Sequence, residues 1–223
     1  MKRPLLIIAV VLVAAVGAFV GFSGRTPPPG FVSIREAPAF QNPQLLERAW
    51  ALPVAALYPH PVVSQTNPSA CGPTSIANVL RSSGSASATP DQVAEHGSGC
   101  FGGVCFGGLT LAQLAAASEG TSKELKVTVL HPANVEALRD ELRHANEPTR
   151  RYVMNFSRFP LFGTGGGHHS PIGGYLEAED LVFVLDVNAS YQPWLVSTAR
   201  LFEAMDTVDS SSGEKRGLIK LER

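Results

Sequence analysis

Excess charge is what this sequence most plainly lacks. Eighteen Lys and Arg stand against nineteen Asp and Glu, a formal net charge of -1 at pH 7 over 223 residues. A nucleic-acid partner normally leaves a basic stripe or surplus, so the balance argues against that class of partner. Internal repeats and low-complexity tracts are absent as well. The chain therefore reads as one ordinary domain with a short extension, large enough to bury a core. Its composition, 44% hydrophobic and 17% charged, is globular, and the 21 Gly and 17 Pro cluster in loops.

Charge is missing altogether from Pro4 to Phe22, an apolar run preceded by Lys2 and Arg3. A basic n-region followed by an apolar stretch is the pattern of an export signal, and Val16-Gly17-Ala18 offers a small-residue cleavage site. Nineteen residues also suffice to span a bilayer as an uncleaved anchor. The basic end stays inside either way. The rest of the chain is thus expected in the periplasm, soluble after signal cleavage or anchored to the inner membrane. Cleavage is the favoured reading, and membrane contact is expected only through this segment. No cysteine follows the run, which excludes a lipoprotein. Residues 1–24 are read as signal or anchor, and 25–42, with Thr26-Pro27-Pro28-Pro29-Gly30, as a linker. The domain proper is expected over 43–223.

Within it, Gln44 to Leu52 reads as a short helix whose Trp50 packs on the domain, and Pro53 to Val63 as irregular. From Cys71 a second helix runs to Ser83, with Pro73 in its first turn, Ile76, Val79 and Leu80 on one stripe, and Gly84 closing it. Thr89-Pro90 caps a third, and Thr110 with Gln113 fits a capping box opening a fourth. The stretch Gly97 to Gly108 is too glycine-rich for a regular element. Pro132 to Ala145 is amphipathic, and Ser197 to Met205 forms a last helix. Strands are expected at Leu125–His131, Tyr152–Phe156, Ile172–Leu176, Leu181–Val187 and Gly217–Leu221. Helices come early and strands late, so the fold class is α+β, a helical N-terminal part packed on an antiparallel sheet.

The chemistry gathers around Cys71. A cysteine at a helix N-terminus meets unpaired amide hydrogens and the positive end of the dipole, which favour the thiolate. Gln65, six residues upstream, is placed to aim a side-chain amide at an oxyanion beside the sulfur. A buried structural cysteine is the alternative on this stretch alone. A thiolate nucleophile needs a base, and the base an orienting group. His168 or His169 leads into one strand, and Asp186 ends its neighbour across the turn Glu177–Asp180. In an antiparallel pair the start of one strand lies beside the end of the next, so histidine and aspartate meet across the hairpin.

Gly167-His168-His169-Ser170-Pro171-Ile172-Gly173-Gly174-Tyr175 followed by Val184-Leu185-Asp186-Val187 resembles the phytochelatin synthase family. Its members carry a Gly-His-Phe-Ser-Pro-Ile-Gly-Gly-Tyr run and a Leu-Asp-Val strand at this spacing. The resemblance covers most of Gln65 to Leu221. It implies a papain-like fold in which Cys71 takes the nucleophile's place, His168 the base's, Asp186 the orienter's and Gln65 the oxyanion donor's. His169 departs from the family's phenylalanine. Asn155 and Arg158 resemble the residues that hold the acyl substrate, and Asp209 and Arg216 a late pair that binds its γ-glutamyl end. The implied reaction is cleavage of the Cys–Gly bond of glutathione through a γ-glutamylcysteinyl-Cys71 acyl-enzyme, with onward transfer to water or to a second glutathione to give phytochelatin. Ending at Arg223 without the plant members' cysteine-rich extension, the chain looks like the short bacterial form, a link to metal detoxification included. No cofactor is expected; a heavy-metal ion, bound as the glutathione thiolate, is the activator the resemblance allows, and a homodimer is compatible with it.

Two alternatives stand beside this reading. Double-glycine leader peptidases, another papain-like group, also place Gln six residues before Cys-Gly. An exported thiol- or metal-binding module could use His96, Cys100 and Cys105, a weak ligand spacing. In an oxidising compartment Cys100 and Cys105 could instead form a disulfide, against which stand two free thiols near the site.

Overall fold

The computed structural model describes residues 26–223. The expected signal or anchor lies outside the described residues, among which no helix is long and apolar enough to cross a membrane. Helices α1 (Pro43–Trp50), α2 (Cys71–Ser82), α3 (Pro90–Glu95) and α4 (Leu111–Thr121) come first. Each of α3 and α4 starts where a capping box forms, Thr89 with Gln92 and Thr110 with Gln113. These pairs satisfy two otherwise orphaned amides at each end.

Between α3 and α4 the glycine-rich stretch is not irregular throughout. It folds into a tiny hairpin, β1 (Cys100–Phe101) against β2 (Val104–Cys105). Gly102 and Gly103 sit at φ 56° and 77°, the left-handed pair that a two-residue hairpin loop demands and that glycine supplies without strain. The turn sets Cys100 opposite Cys105, and the two are joined as a disulfide.

Then β3 (Lys126–Leu130), α5 (Val135–Leu142), β4 (Arg150–Ser157), α6 (Phe159–Phe162), β5 (Gly167–Leu176), β6 (Leu181–Val184), β7 (Trp194–Ser197), α7 (Thr198–Met205) and β8 (Leu218–Glu222) complete the fold. The sheet has the order β3-β8-β4-β5-β6-β7, antiparallel throughout. Its central strands are buried along nearly their whole length because both faces are covered. On one face α2 and α4 bring Ile76, Val79 and Leu114 against Val153, Phe183 and Ile219. On the other, α5 and α7 bring Leu138, Leu142 and Leu201 against Met154, Phe156 and Trp194. The α+β class and the early-helix, late-strand order agree with expectation. Trp50 packs as expected, stacked 4.1 Å from His60 and edge-on to Phe183.

The expected linker is shorter than 25–42. Ile34 and Phe40 are 4% and 5% exposed, and Phe40 stacks on Trp194 at 6.1 Å while its carbonyl accepts the Leu195 N–H. The packed domain therefore begins by residue 34. The run Pro27-Pro28-Pro29-Gly30 occupies only the start of the expected linker, and apolar residues beyond it cover an end of the sheet.

Candidate active site

Cys71 is the first residue of α2, following Ala70, whose side chain makes no cap. The first-turn amides are left without intrahelical partners, so the helix start offers its donors beside the sulfur. With Cys100 and Cys105 bonded to each other, Cys71 is the free cysteine, and it is buried. Gln65 is held by its own N–H to Val187 O at 2.8 Å, which ties the loop before α2 to the chain just after Asp186. The Gln65 Nε2 donates to Asn67 O at 2.9 Å. Its Oε1 is buried without a partner among the described residues.

His168 and His169 stand at the start of β5, opposite Phe156 and Asn155 of β4. Consecutive strand residues turn to opposite faces. His168 packs its ring edge-on to Phe156 at 5.6 Å and bonds through Nε2 to Asp186 Oδ1 at 3.0 Å. His169 takes the other direction, with Nδ1 3.9 Å from Cys71 Sγ. The hairpin of β5 and β6 carries Asp186 to His168 as expected, although β6 ends at Val184 and Asp186 lies just beyond it.

Asp186 is fully enclosed, and its two oxygens accept five hydrogen bonds. Arg158 Nη2 reaches both at 2.8 Å, and His168 Nε2, the Asn188 N–H and Trp194 Nε1 complete the set. Burial pushes this carboxyl up, but His168, Arg158 and Trp194 together hold it down at about 2. Burial likewise pushes His168 down, and its hydrogen bond to Asp186 together with the neighbouring Cys71 sulfur prevails to raise it. Around Cys71 the balance falls the same way. Burial pushes the thiol up, while the two neighbouring imidazoles, His168 and then His169, bring it well below its usual value. Cys71, His168 and Asp186 thus favour a thiolate–imidazolium pair backed by a permanent carboxylate.

The four residues expected to hold substrate fall into two groups. Arg158 is turned onto Asp186 and sits over Tyr191, its Cζ 3.6 Å from the ring centre, a placement with no signal in the sequence. Its Nη1 is buried and has no partner among the described residues. Asn155 bridges His169 and Arg216, donating from Nδ2 to His169 Nε2 at 2.8 Å and accepting from Arg216 Nη1 at 2.9 Å. Arg216 also pairs with Asp209 at 3.1 Å and leaves its Nε buried without a partner among the described residues. Gly167 permits this approach, since a Cβ there would meet Arg216 Nη1 at 2.5 Å. These side chains line a cavity of about 510 Å³ that includes Gln65, Cys71 and both histidines. Asn188, Tyr191 and Trp194 were not foreseen. Only Asn188 had a local cue, being two residues after an aspartate that can accept its N–H.

The disulfide hairpin supports the same cavity. The Cys105 N–H donates to Ser69 Oγ, and Asn67 Nδ2 to Gly103 O, so the hairpin braces the loop before Cys71. With both cysteines bonded, a metal site built on His96, Cys100 and Cys105 loses two of its three ligands. Unfolding the protein without reductant should release one titratable thiol, that of Cys71; three would contradict the bridge.

A sequence model of the phytochelatin synthase family matches residues 39–218. Among curated proteins, glutathione gamma-glutamylcysteinyltransferase 1 of Arabidopsis thaliana is 46% identical over 72 residues. That stretch is 32% of this chain and 15% of the relative. The Schizosaccharomyces pombe glutathione gamma-glutamylcysteinyltransferase is 37% identical over 71 residues, 31% of this chain and 17% of its own. The matched stretches thus span about a sixth of the curated relatives' length. Among solved structures, the peptidase domain of Streptococcus ComA, a bi-functional ABC transporter involved in a quorum sensing pathway, superposes with a TM-score of 0.50 at 19% identity. It covers 72% of this chain and 96% of that domain, a likeness of fold that agrees with the papain-like arrangement.

Proposed function

The chain belongs to the phytochelatin synthase family, and from that premise we propose that it cleaves the Cys–Gly bond of glutathione through a γ-glutamylcysteinyl thioester on Cys71. The observation that carries this reading is the cavity itself. A depressed thiol and a His168–Asp186 pair meet there, beside the guanidinium groups of Arg158 and Arg216, whose Nη1 and Nε respectively are buried and have no partner among the described residues. Unpaired buried cationic donors are costly, and carboxylates satisfy them best. Glutathione has two carboxylates, and Asp209 beside Arg216 suits the ammonium of its γ-glutamyl end.

In this mechanism the Cys71 thiolate attacks the carbonyl of the Cys–Gly peptide. Gln65 and a backbone N–H at the start of α2 stabilise the oxyanion. His168, oriented by Asp186, protonates the glycine nitrogen as it leaves. His168 then draws a proton from water, which attacks the thioester and frees γ-glutamylcysteine and the thiolate. The amino group of a second glutathione can replace water and yield the two-unit phytochelatin. Water is present at about tens of molar, so transfer prevails only where the acceptor is held in place. The unpartnered donors described match the carboxylates of one glutathione and leave none for a second, so hydrolysis is the expected main route. A thiol-binding heavy metal would enter with the glutathione as substrate. Export to an oxidising compartment belongs to the same reading, and the Cys100–Cys105 bridge supports it.

Gln65→Ala should lower the rate of glycine release by about 10²–10³-fold, the usual cost of one oxyanion donor, with little change in stability. A loss under about tenfold would remove Gln65 from this role. The reading as a whole is tested by offering the protein glutathione and, separately, a peptide with a double-glycine junction. Glycine, γ-glutamylcysteine and the two-unit phytochelatin are then quantified over a range of glutathione. Glutathione cleavage with γ-glutamylcysteine in excess is expected. Cleavage of the peptide alone would instead establish a leader-peptidase activity.

A further inference from the structure

Asn67 stands between Gln65 and the disulfide hairpin and is bonded to both. The mechanism above asks the Gln65 amide for a hydrogen, and the bonds of Asn67 determine how that amide is aimed. A backbone carbonyl only accepts, so the Gln65 atom 2.9 Å from Asn67 O must be Nε2 and not Oε1. One of its two hydrogens is committed there, and the second is left for an acceptor in the cavity that Gln65 lines. The same Asn67 O accepts the Ala70 N–H at 3.2 Å, closing a turn that leads straight into Cys71. The Asn67 side chain in turn fixes that carbonyl. Its Oδ1 accepts the Ser69 N–H at 3.0 Å and the Ser69 hydroxyl at 2.8 Å. Its Nδ2 donates to Gly103 O at 3.3 Å, and Ser69 Oγ accepts the Cys105 N–H at 3.2 Å. The Ser69 N–H can only donate and Gly103 O can only accept, so a single orientation of the Asn67 amide satisfies both.

We infer that Asn67 is the positioning residue of Gln65: it holds the amide of the oxyanion donor in place and ties it to the disulfide hairpin. The inference rests on Gln65 as the oxyanion donor and deepens that reading. Asn67 acts through Gln65 and does not touch the reacting atoms. An oxyanion donor is effective because it is already aimed when charge develops and nothing has to reorganise. Glutamine is a long side chain with much rotamer freedom, so its aim has to be supplied by its neighbours. Asn67 O supplies it, and the Asn67 side chain keeps Asn67 O where it is. The glycine-rich hairpin, idle in the mechanism itself, gains a role from this. Closed by its two-residue turn and its bridge, it gives the loop of residues 65–70 a fixed backing through Asn67 and Ser69.

Kinetics and NMR on the whole protein test this. In Asn67→Ala the backbone carbonyl remains but loses its side-chain ties. Its kcat for glycine release should fall by about 10–10²-fold, the scale of a misplaced group, with KM little changed. In a Gln65→Ala background the same substitution should cost nothing further, because the group it positions is gone. Asn67→Ser, whose hydroxyl can accept the Ser69 N–H in the same kind of turn, should recover part of kcat. Alkylation of Cys71 by iodoacetamide should keep its rate in Asn67→Ala, which separates a displaced donor from a displaced nucleophile. Nitrogen-15 NMR without glutathione reads the Gln65 side-chain amide directly, assigned by its absence in Gln65→Ala. One of its protons should be protected from solvent exchange, and Asn67→Ala should remove that protection. An equal loss of rate in both backgrounds, an unmoved kcat or a serine variant no faster than the alanine one would overturn the inference. So would slowed alkylation or unchanged amide protection. Failure of the glutathione reading would leave the amide and thiol measurements standing, and unchanged protection would leave glutathione cleavage standing.

Discussion

Replacing Cys71 by alanine is expected to end glycine release from glutathione, leaving no more than background hydrolysis. The thiol is the bond-forming atom in the proposed mechanism, and the other two cysteines are consumed in a disulfide. A water attacking directly, with His168 as base, would lack the covalent route that divides one hard step into two easier ones. A loss of about 10⁴-fold or more is the scale to expect when a covalent nucleophile is removed from such a triad. The fold should survive, because Cys71 lies at the start of α2 while the apolar grip of that helix comes from Ile76, Val79 and Leu80. Turnover retained in a folded Cys71→Ala protein would remove the acyl-enzyme from the account.

Asp186→Ala should damage stability and activity together. Its carboxylate accepts bonds from Arg158, His168, Trp194 and the Asn188 N–H, and alanine strands all of them. Arg158 is 5% exposed, so its charge would be left buried and uncompensated. Removing one partner of such a pair costs about 3–5 kcal/mol. His168 would also lose what orients it and raises its proton affinity, and the thiolate would lose its imidazolium. Urea unfolding of Asp186→Ala beside Asp186→Asn separates the two effects. Asparagine keeps an acceptor and should recover part of the stability, while activity stays low because the charge is missing. A stability loss below about 1 kcal/mol for alanine would mean that the carboxylate does not hold this end of the sheet.

The contrast between Cys71 and Arg158 shows what a sequence can carry. Cys71 was legible because its signals are local: Pro73 in the first turn, an apolar stripe behind it and Gln65 upstream. His168 and Asp186 were legible because one short turn joins their strands, so their meeting follows from antiparallel geometry. Arg158 offered no such cue. Its partner Asp186 is far along the chain and its platform Tyr191 further still, and only the closed sheet brings them together. Trp194 reaches Asp186 from β7, a strand whose four residues are too short to show alternation against the polar turn before them. The linker was overextended for a related reason, since Phe40 is buried by Trp194 and not by its sequence neighbours. His169 is the subtlest case. The motif sets it beside His168, but its opposite face and its bond to Asn155 depend on the register of β4 against β5, which a single sequence does not reveal.

The central claim is that Cys71 carries a γ-glutamylcysteinyl group taken from glutathione. Rapid acid quenching of the enzyme with glutathione, followed by intact-mass and peptide mass spectrometry, tests it most directly. The account predicts an adduct with the mass of γ-glutamylcysteinyl minus the displaced hydrogen, confined to the peptide that contains Cys71 and accompanied by free glycine. It should resist thiol reductant and be lost to hydroxylamine, as a thioester is. An adduct that carries the whole of glutathione and is removed by reductant, with no glycine released, would be a mixed disulfide and would contradict the account.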